Sequence, residues 1–437
     1  MMSLSVIPLE SALLLCFLLG SLIASFLNLA IYRLAWQPRA MSPWSRLPKN
    51  LLSDSVTPRT LLDRIPILGW LRLRRESHIW GTTFWIRPML IELFFGLGLA
   101  TLYWHEVDRF GFFSSSFLVS MSGETPWWTL LNGNLLFEIF CGHTLLISLM
   151  VVATFIDIDE KTIPDEITLP GTVLGILFVT LNPWLLPPDT TRQLLIGDRL
   201  YVDFMHLAAP LPWSDGFAGG GAWGPLLLAL GCLWLWCFAL LPRCWYRRWG
   251  TRRALQYFVA HILRTRYSKV ILVIAALGTL STIVVWSCGG FHWAGLSTSL
   301  FGMAFGTVII WAVRLTGSAI MKKEAMGFGD VTLMAMIGAF VGWQATLIVF
   351  FIAPVAGLIV GLLQWISKRD NEIPYGPFLC LATVVLIIFW PQFWGYLGPI
   401  FATLGETIPI LLLASLILMA VLLALLQWFK AACSRVR

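Results

Sequence analysis

Charged residues are scarce in this chain. Asp, Glu, Lys and Arg make up 12% of its 437 residues, whereas hydrophobic residues make up 58%. An ordinary soluble domain has about 25% charged residues, and a protein this apolar could not cover its own surface in water. The scarcity of charge therefore excludes a soluble globular protein and makes the lipid bilayer the expected surroundings.

Motifs of several enzyme classes are also missing. The eight cysteines form no CxxC pair, so the sequence predicts neither a zinc site nor a disulfide framework. HExxH and GxSxG are absent, and the six histidines are scattered along the chain. We therefore expect the cysteines and histidines to be structural, and we predict no metal at the functional site.

Long apolar runs are abundant, and a helix needs about 20 mainly apolar residues to cross the hydrocarbon core. The first run lacks the basic start and cleavage site of a signal peptide, so we expect it to be retained. The fold class predicted is all-α, a polytopic membrane protein with about eleven transmembrane helices. The predicted spans are 7–32, 88–104, 135–156, 167–186, 223–241, 270–288, 300–315, a two-armed hairpin at 331–365 with its turn at Gly342-Trp343, 378–394 and 408–429.

Lys and Arg cluster in alternate loops. Segments 33–87 and 243–269 are rich in arginine, and the tail 430–437 is basic. Because basic loops face the cytoplasm, we predict an outside N-terminus and a cytoplasmic C-terminus, and we interpret these loops as topology signals rather than nucleic-acid-binding segments. The same count places Asp157, after the third span, and Asp330, before the hairpin, at the cytoplasmic face.

The sharpest local signal is Met326-Gly327-Phe328-Gly329-Asp330, directly before an apolar helix. Two glycines allow a ligand or another backbone to approach closely. An ionisable residue that opens a membrane helix is a functional hypothesis by default. An aspartate that merely caps the helix, after flexible glycines, would give the same local pattern.

A second signal is the acidic turn at 157–166, which holds five acids between two predicted spans. Pro164 and Asp165 end one element and begin the next, as proline does in a first helical turn. A solvated loop with Asp165 as a helix cap would account for four of the acids. Asp157 is the exception because it lies closest to the apolar run.

Two carboxyl groups held close together can hydrolyse a peptide without a metal. They cannot both ionise, so the pair shares a proton. The ionised member takes a proton from water, while the protonated member donates to the scissile carbonyl or the leaving amine. We predict Asp157 and Asp330 as the catalytic pair of an aspartyl protease, with four supporting residues: Gly327, Gly329, Pro164 and Asp165.

Six segments, in order, resemble the prepilin peptidases, or type IV leader peptidases, which are membrane aspartyl proteases of the GxGD class. The resemblance implies that Asp157 and Asp330 match the catalytic aspartates. It also implies cleavage of type IV prepilins or type II secretion pseudopilins at the cytoplasmic face of the inner (plasma) membrane. Many members also methylate the new N-terminus with S-adenosylmethionine. The segments are 20–34, 64–71, 87–93, 157–168, 323–330 and 373–378.

The departures from the family pattern also matter. Many members carry two CxxC pairs in the first cytoplasmic loop, but the corresponding stretch 71–88 has no cysteine, so we expect no zinc there. Thr332 stands where a basic residue is usual. We divide the chain into an N-terminal region with a divergent methyltransferase-like part, a helix pair with the first aspartate, a two-span insertion, the GxGD core and an extra C-terminal span. The corresponding boundaries are 1–134, 135–186, 187–297, 298–397 and 398–437.

Other functions stay open at this stage. The Ile163-Pro164-Asp165 turn after Asp157, and the lack of a tyrosine before it, argue against a presenilin-like protease. A polytopic transporter could use the same acids. A catalytically inactive pilus-assembly factor would share the whole pattern. The partners expected are prepilin or pseudopilin substrates and the lipid bilayer, and no nucleic acid.

Overall fold

The computed structural model describes residues 8–45, 59–113, 133–196, 199–213, 215–218, 222–241, 250–322, 324, 326–366 and 374–436. Most of this part of the chain is helical, with one pair of strands. The helices are α1 (Leu9–Leu34), α2 (Leu68–Leu73), α3 (Ser77–Trp80), α4 (Ile86–Tyr103), α5 (Gly133–Glu160), α6 (Asp165–Leu181), α7 (Asp215–Ala218), α8 (Trp223–Leu240), α9 (Thr251–Arg264), α10 (Arg266–Cys288), α11 (Gly290–Met321), α12 (Phe328–Ile366), α13 (Gly376–Ile388), α14 (Trp390–Leu404) and α15 (Ile408–Val436); the strands are β1 (Pro188–Ile196) and β2 (Arg199–Phe204).

Within the described ranges, eight helices are long and apolar enough to cross a membrane, and α13 with α14 forms a ninth candidate. The chain is therefore a multi-pass helical membrane protein, and the predicted fold class is confirmed. Counting the 17-residue helix α6 and both arms of α12 as crossings would bring the number to the predicted eleven. The number of spans and the sides of the termini stay predictions.

Two predicted spans take informative shapes. Helix α12 is interrupted by a kink at Gly342, whose φ of 75° and ψ of 174° are not helical. Positive φ favours glycine, so the helix break at the predicted turn position is confirmed, while the two-span hairpin stays a prediction. The predicted single span at 378–394 is wrong in shape, because α13 and α14 meet at 90°. Pro391, in the first turn of α14, suits a new helix start better than a helix interior.

The first arm of α12 is the centre of the fold, and its residues from Asp330 to Val341 are buried. It packs on α11 through glycines. A Cβ at Gly338 would lie 2.7 Å from the carbonyl carbon of Gly302, and the Ser299 hydroxyl donates to the Ala339 carbonyl at 2.7 Å. Small residues let membrane helices approach this closely, since lipid provides no hydrophobic drive between them.

The antiparallel strands β1 and β2 were not predicted from the sequence. They bind the ends of the neighbouring helices through side-chain donors. Trp390 Nε1 donates to the Pro188 carbonyl at 2.9 Å, and Trp394 Nε1 donates to an Asp189 carboxylate oxygen at 2.9 Å. Gln344 Nε2, just after the break at Gly342, donates to the His206 carbonyl at 2.8 Å. The strand pair therefore covers the end of the first arm of α12 opposite Asp330.

Gly338→Ala should destabilise the protein by about 1–3 kcal/mol, because the new methyl group would overpack the α11–α12 contact. Gly361→Ala, in the second arm of the same helix, is the matched control, since a Cβ there would meet nothing within 4 Å. Thermal unfolding of the purified variants in detergent measures both effects. Equal stability of the two variants would contradict the importance of the glycine contact.

Candidate functional site

The two predicted catalytic acids lie at the ends of two different helices. Asp157 is in the last turn of α5, and Asp330 is in the first turn of α12. Their side chains are almost fully buried, at 5% and 7% exposure, and they line one cavity of about 1380 Å³. They are close enough for the charge of Asp157 to act on Asp330. The structure therefore brings together two acids that are distant in the sequence.

Two glycines make room for this pair. A Cβ at Gly376, the first residue of α13, would lie 2.6 Å from Asp157 Oδ2 and 2.9 Å from Ile163 Cδ1. A Cβ at Gly329 would lie 2.8 Å from Ile163 Cβ. Ile163 is therefore packed between two glycines: Gly329, which precedes Asp330, and Gly376, which contacts Asp157. Any side chain at either glycine would push the acids or Ile163 aside.

The four predicted supporting residues, Gly327, Gly329, Pro164 and Asp165, all line the cavity. The Gly327 N–H interacts with the Asp330 carboxyl group. Pro164 precedes α6, and Asp165 is its first residue. Sequence reasoning missed Gly376 and Ile163 as site residues, although both lie within segments that carry the family resemblance. Lys323, Ala325 and Ile373 of those segments lie outside the described residues.

Three other acids of the 157–166 turn hold neighbouring elements in place. Asp159 accepts from Arg87 at 2.6 Å. Glu160 accepts from the backbone N–H of Trp36 at 2.6 Å, just beyond the end of α1. Asp165 accepts from the Tyr267 hydroxyl at 2.9 Å. A solvated acidic loop is therefore an incomplete interpretation, because these carboxylates tie the turn to α4, α1 and α10.

Tyr375 also lines the cavity, directly before α13. Burial, together with the nearby charge of Asp330, raises the pKa of the Tyr375 hydroxyl. This group therefore remains neutral at physiological pH and can act as a hydrogen-bond donor or acceptor beside the acid pair.

The first loop, between α1 and α4, is held by ion pairs whose carboxylates are buried. Arg59 forms a bidentate pair with Glu76, in which Nε donates to Oε1 at 2.9 Å and Nη2 donates to Oε2 at 2.6 Å. Asp63 accepts from Arg72 at 3.2 Å and from Arg75 at 2.7 Å. Bidentate pairing of this kind is among the stronger polar interactions in proteins.

The electrostatics of Asp63 reflect this setting. Burial alone would raise the pKa of its carboxyl, but hydrogen bonds from the Thr60 N–H and from Arg75 and Arg72 outweigh burial and hold the pKa below its usual value. A lowered folded-state pKa means that Asp63 contributes stability at neutral pH and loses it as the pH falls through that pKa. The ion pairs therefore support the loop under physiological conditions.

No group of three or more His, Cys, Asp and Glu residues that could hold a metal occurs in the described ranges. Within the stretch 71–88, where the family resemblance leads one to look for cysteines, Glu76 pairs with Arg59 instead. Glu92 of α4 anchors the same loop, because it accepts from Trp70 Nε1 at 2.9 Å and from the Ile67 N–H at 2.6 Å. Asn28 of α1 also donates to Glu92, at 3.2 Å, which joins the loop to both helices.

Arg59→Met should destabilise the first loop by about 3–5 kcal/mol, because the Glu76 carboxylate stays buried without its cation. Replacing both residues by methionine should recover most of the loss, since no unpaired charge remains. Limited proteolysis of the loop in isolated membranes measures the effect. A metal chelator should not change the wild-type rate of digestion. Wild-type resistance in the single variant would contradict this role of the ion pair.

Comparison with known proteins gives two family matches. A model described as the type IV leader peptidase family matches residues 144–241 and 263–362. A model described as the bacterial peptidase A24 N-terminal domain matches residues 18–106. The two matches contain Asp157 and Asp330 as well as the first loop. No solved structure matches the chain.

Several curated relatives are named prepilin leader peptidase/N-methyltransferase, and three of them illustrate the similarity. The one from Pseudomonas aeruginosa is 34% identical over 103 residues, which cover 23% of this chain and 35% of that relative. The one from Burkholderia pseudomallei (strain 1026b) is 32% identical over 108 residues, covering 24% and 35%. These matches span about a third of each relative's length. The relative from Aeromonas salmonicida (strain A449) is 22% identical over 398 residues, covering 86% of this chain and 90% of the relative.

Proposed function

This chain belongs to the type IV leader peptidase family, and from that premise we propose that it is a membrane aspartyl endopeptidase. Its substrates are type IV prepilins or type II secretion pseudopilins, whose leader peptides it cleaves at the cytoplasmic face of the inner membrane. The observation that carries the proposal is the burial of Asp157 and Asp330 against one cavity at the ends of two membrane helices. The names of the relatives do not favour a transporter or an inactive assembly factor.

Hydrolysis by such a pair needs one ionised and one protonated carboxyl group. The Asp157 carboxyl group lines the cavity, and in its ionised form it accepts a proton from the attacking water. The water oxygen bonds to the scissile carbonyl carbon while Asp330 donates its proton to the carbonyl oxygen. When the C–N bond breaks, the leaving amine takes the proton that Asp157 received, and Asp330 recovers a proton from a hydroxyl of the intermediate as the carboxylic acid forms.

The walls of the cavity suit a cationic leader. Asp159, Glu160 and Glu166 line it in addition to the catalytic pair, and its lining cations include Arg39 and Lys161. Complementary charge steers a basic segment to such a cavity and fixes its register. The apolar helix that follows the leader can remain in the bilayer, because the acids lie at the ends of membrane helices. This arrangement selects the junction between a basic leader and an apolar helix.

We also infer that the protein methylates the new N-terminus, as the names of its relatives state for them. S-adenosylmethionine would supply the methyl group from a cationic sulfonium. The cavity edge fits such a cation, since Trp36 is 88% exposed there and its backbone N–H donates to the Glu160 carboxylate. An aromatic face beside a carboxylate is a favourable place for a sulfonium. Trp36 and Glu160 would therefore hold the donor near the cleaved end.

Asp157→Asn and Asp330→Asn should each reduce cleavage of a purified prepilin by about 100- to 10,000-fold, because each removes one proton-transfer group. Asp108→Asn is the control, since Asp108 lies near the opposite end of the bundle with a partly exposed side chain. Cleavage by purified, detergent-solubilised protein is measured by gel shift and mass spectrometry. If both variants cleave at the control rate, the paired-acid proposal is wrong.

Methylation is expected to depend on the cavity edge. With S-adenosylmethionine present, the wild-type protein should add one methyl group to the new N-terminus. Trp36→Ala should reduce methylation by about tenfold with little loss of cleavage, because only the sulfonium contact is removed. Mass spectrometry of the cleaved pilin reports both reactions in one sample. Unmethylated product from the wild type, with cleavage intact, would contradict the inferred second activity.

A further inference from the structure

We propose that Tyr267 is a positioning residue for the acid pair, and that the 187–297 segment thereby forms part of the active site. This inference rests on the proposed peptidase function. The sequence predicted that segment as a two-span insertion and assigned it no role. Its helix α10 begins at Arg266, so Tyr267 stands in the first turn, at the end of the bundle that holds Asp157 and Asp330.

The contact itself is direct. The Tyr267 hydroxyl donates to Asp165 Oδ2 at 2.9 Å, across 102 positions of sequence, and both residues line the cavity that holds the catalytic pair. A hydrogen bond to a carboxylate is stronger than one between neutral groups. The bond therefore fixes the end of the 161–165 turn to a helix from a distant part of the chain.

The first turns of α10 are anchored by two buried side chains. Most of α10 faces outward, but Ser268 and Ile271 are 0% and 2% exposed. Ile271 belongs to an apolar cluster that also includes Leu169 of α6 and Phe328, the residue between the two glycines of the Asp330 motif. The first turns of α10 therefore pack inward, into an apolar cluster that also reaches the helix of Asp165 and the Asp330 motif. The helix turn that carries Tyr267 is therefore held in place by packing beside the Tyr267–Asp165 hydrogen bond.

A change in the position of Asp165 affects Asp157 and Asp330 through Ile163. Only Pro164 separates the two residues, and proline holds its φ near a fixed value. Ile163 is wedged against Gly329, before Asp330, and against Gly376, beside Asp157. A shift of the 161–165 turn therefore moves Ile163 and changes the relative orientation of the Asp157 and Asp330 carboxyl groups. A displacement of about 1 Å in catalytic groups can cost about 100-fold in rate.

The test is a double-mutant cycle on the full-length protein in detergent micelles, with a purified type IV prepilin as the substrate. Tyr267→Phe keeps the ring and removes the hydroxyl, and it should lower kcat by about tenfold with KM unchanged, because a hydrogen bond to a charged group is lost. Asp165→Ala should lower kcat by at least as much, and adding Tyr267→Phe to it should cause no further loss. Tyr257→Phe is the matched control, because Tyr257 lies on α9 with its side chain 58% exposed.

The outcomes separate the two proposals. If the wild type does not cleave, or if Asp157→Asn and Asp330→Asn leave cleavage unchanged, the peptidase function itself fails. If the wild type cleaves through the acid pair but Tyr267→Phe matches Tyr257→Phe, the positioning role is overturned. A raised KM with unchanged kcat would overturn it too, since Tyr267 would then contact the substrate. Equal losses from Tyr267→Phe with and without Asp165 would show that the hydroxyl acts by another route.

Discussion

The close contact between α11 and the first arm of α12 is the constraint on which the site depends. Burying two carboxyl groups beside each other costs free energy, so the backbone that carries them must be held by packing from elsewhere. In a bilayer that packing comes from van der Waals contact between small residues, since lipid tails are as apolar as leucine. Gly302 and Gly338 bring the backbones of α11 and α12 together, and the buried first arm of α12 then fixes the position of Asp330 at its end. The break at Gly342 and the hydrogen bond from Gln344 to His206, just after β2, hold its other end.

The second acid is held by a different kind of interaction. Asp157 lies in the last turn of α5, and the neighbouring carboxylates of Asp159 and Glu160 bind Arg87 and the backbone beyond α1. Helix ends leave polar backbone groups without partners, so charged and polar contacts are available there that the helix interior lacks. In the first loop, the Arg59–Glu76 ion pair likewise holds the backbone through a polar contact outside the helix interiors. Apolar packing between helices therefore positions Asp330, and polar contacts at helix ends position Asp157.

Features that depend on local sequence could be predicted. The helix break at Gly342, the helical membrane fold and the placement of Asp157 and Asp330 at helix ends follow from apolar runs, glycines and isolated acids. Features that depend on distant contacts could not be predicted. Nothing local to Tyr267 indicates a bond 102 residues away, and the role of Gly376 appears only when Asp157 lies against it. The bend between α13 and α14 was missed because an apolar run does not reveal a change of direction. The strands were missed because their bonds to Trp390 and Trp394 are tertiary.

The two glycines before Asp330 differ in their physical role. Gly329 is sterically required, since a Cβ there would lie 2.8 Å from Ile163. Gly327 meets no such crowding: the nearest atom to its would-be Cβ is Asp330 Oδ2 at 3.8 Å, and its φ is not positive. Packing and backbone strain therefore give no reason for glycine at 327. Gly327 lines the cavity beside the acid that it contacts, so the missing side chain leaves space next to Asp330. Under the proposed function, that space admits the backbone of the scissile peptide, because an extended chain can approach a catalytic carboxyl only where no side chain stands in front of it.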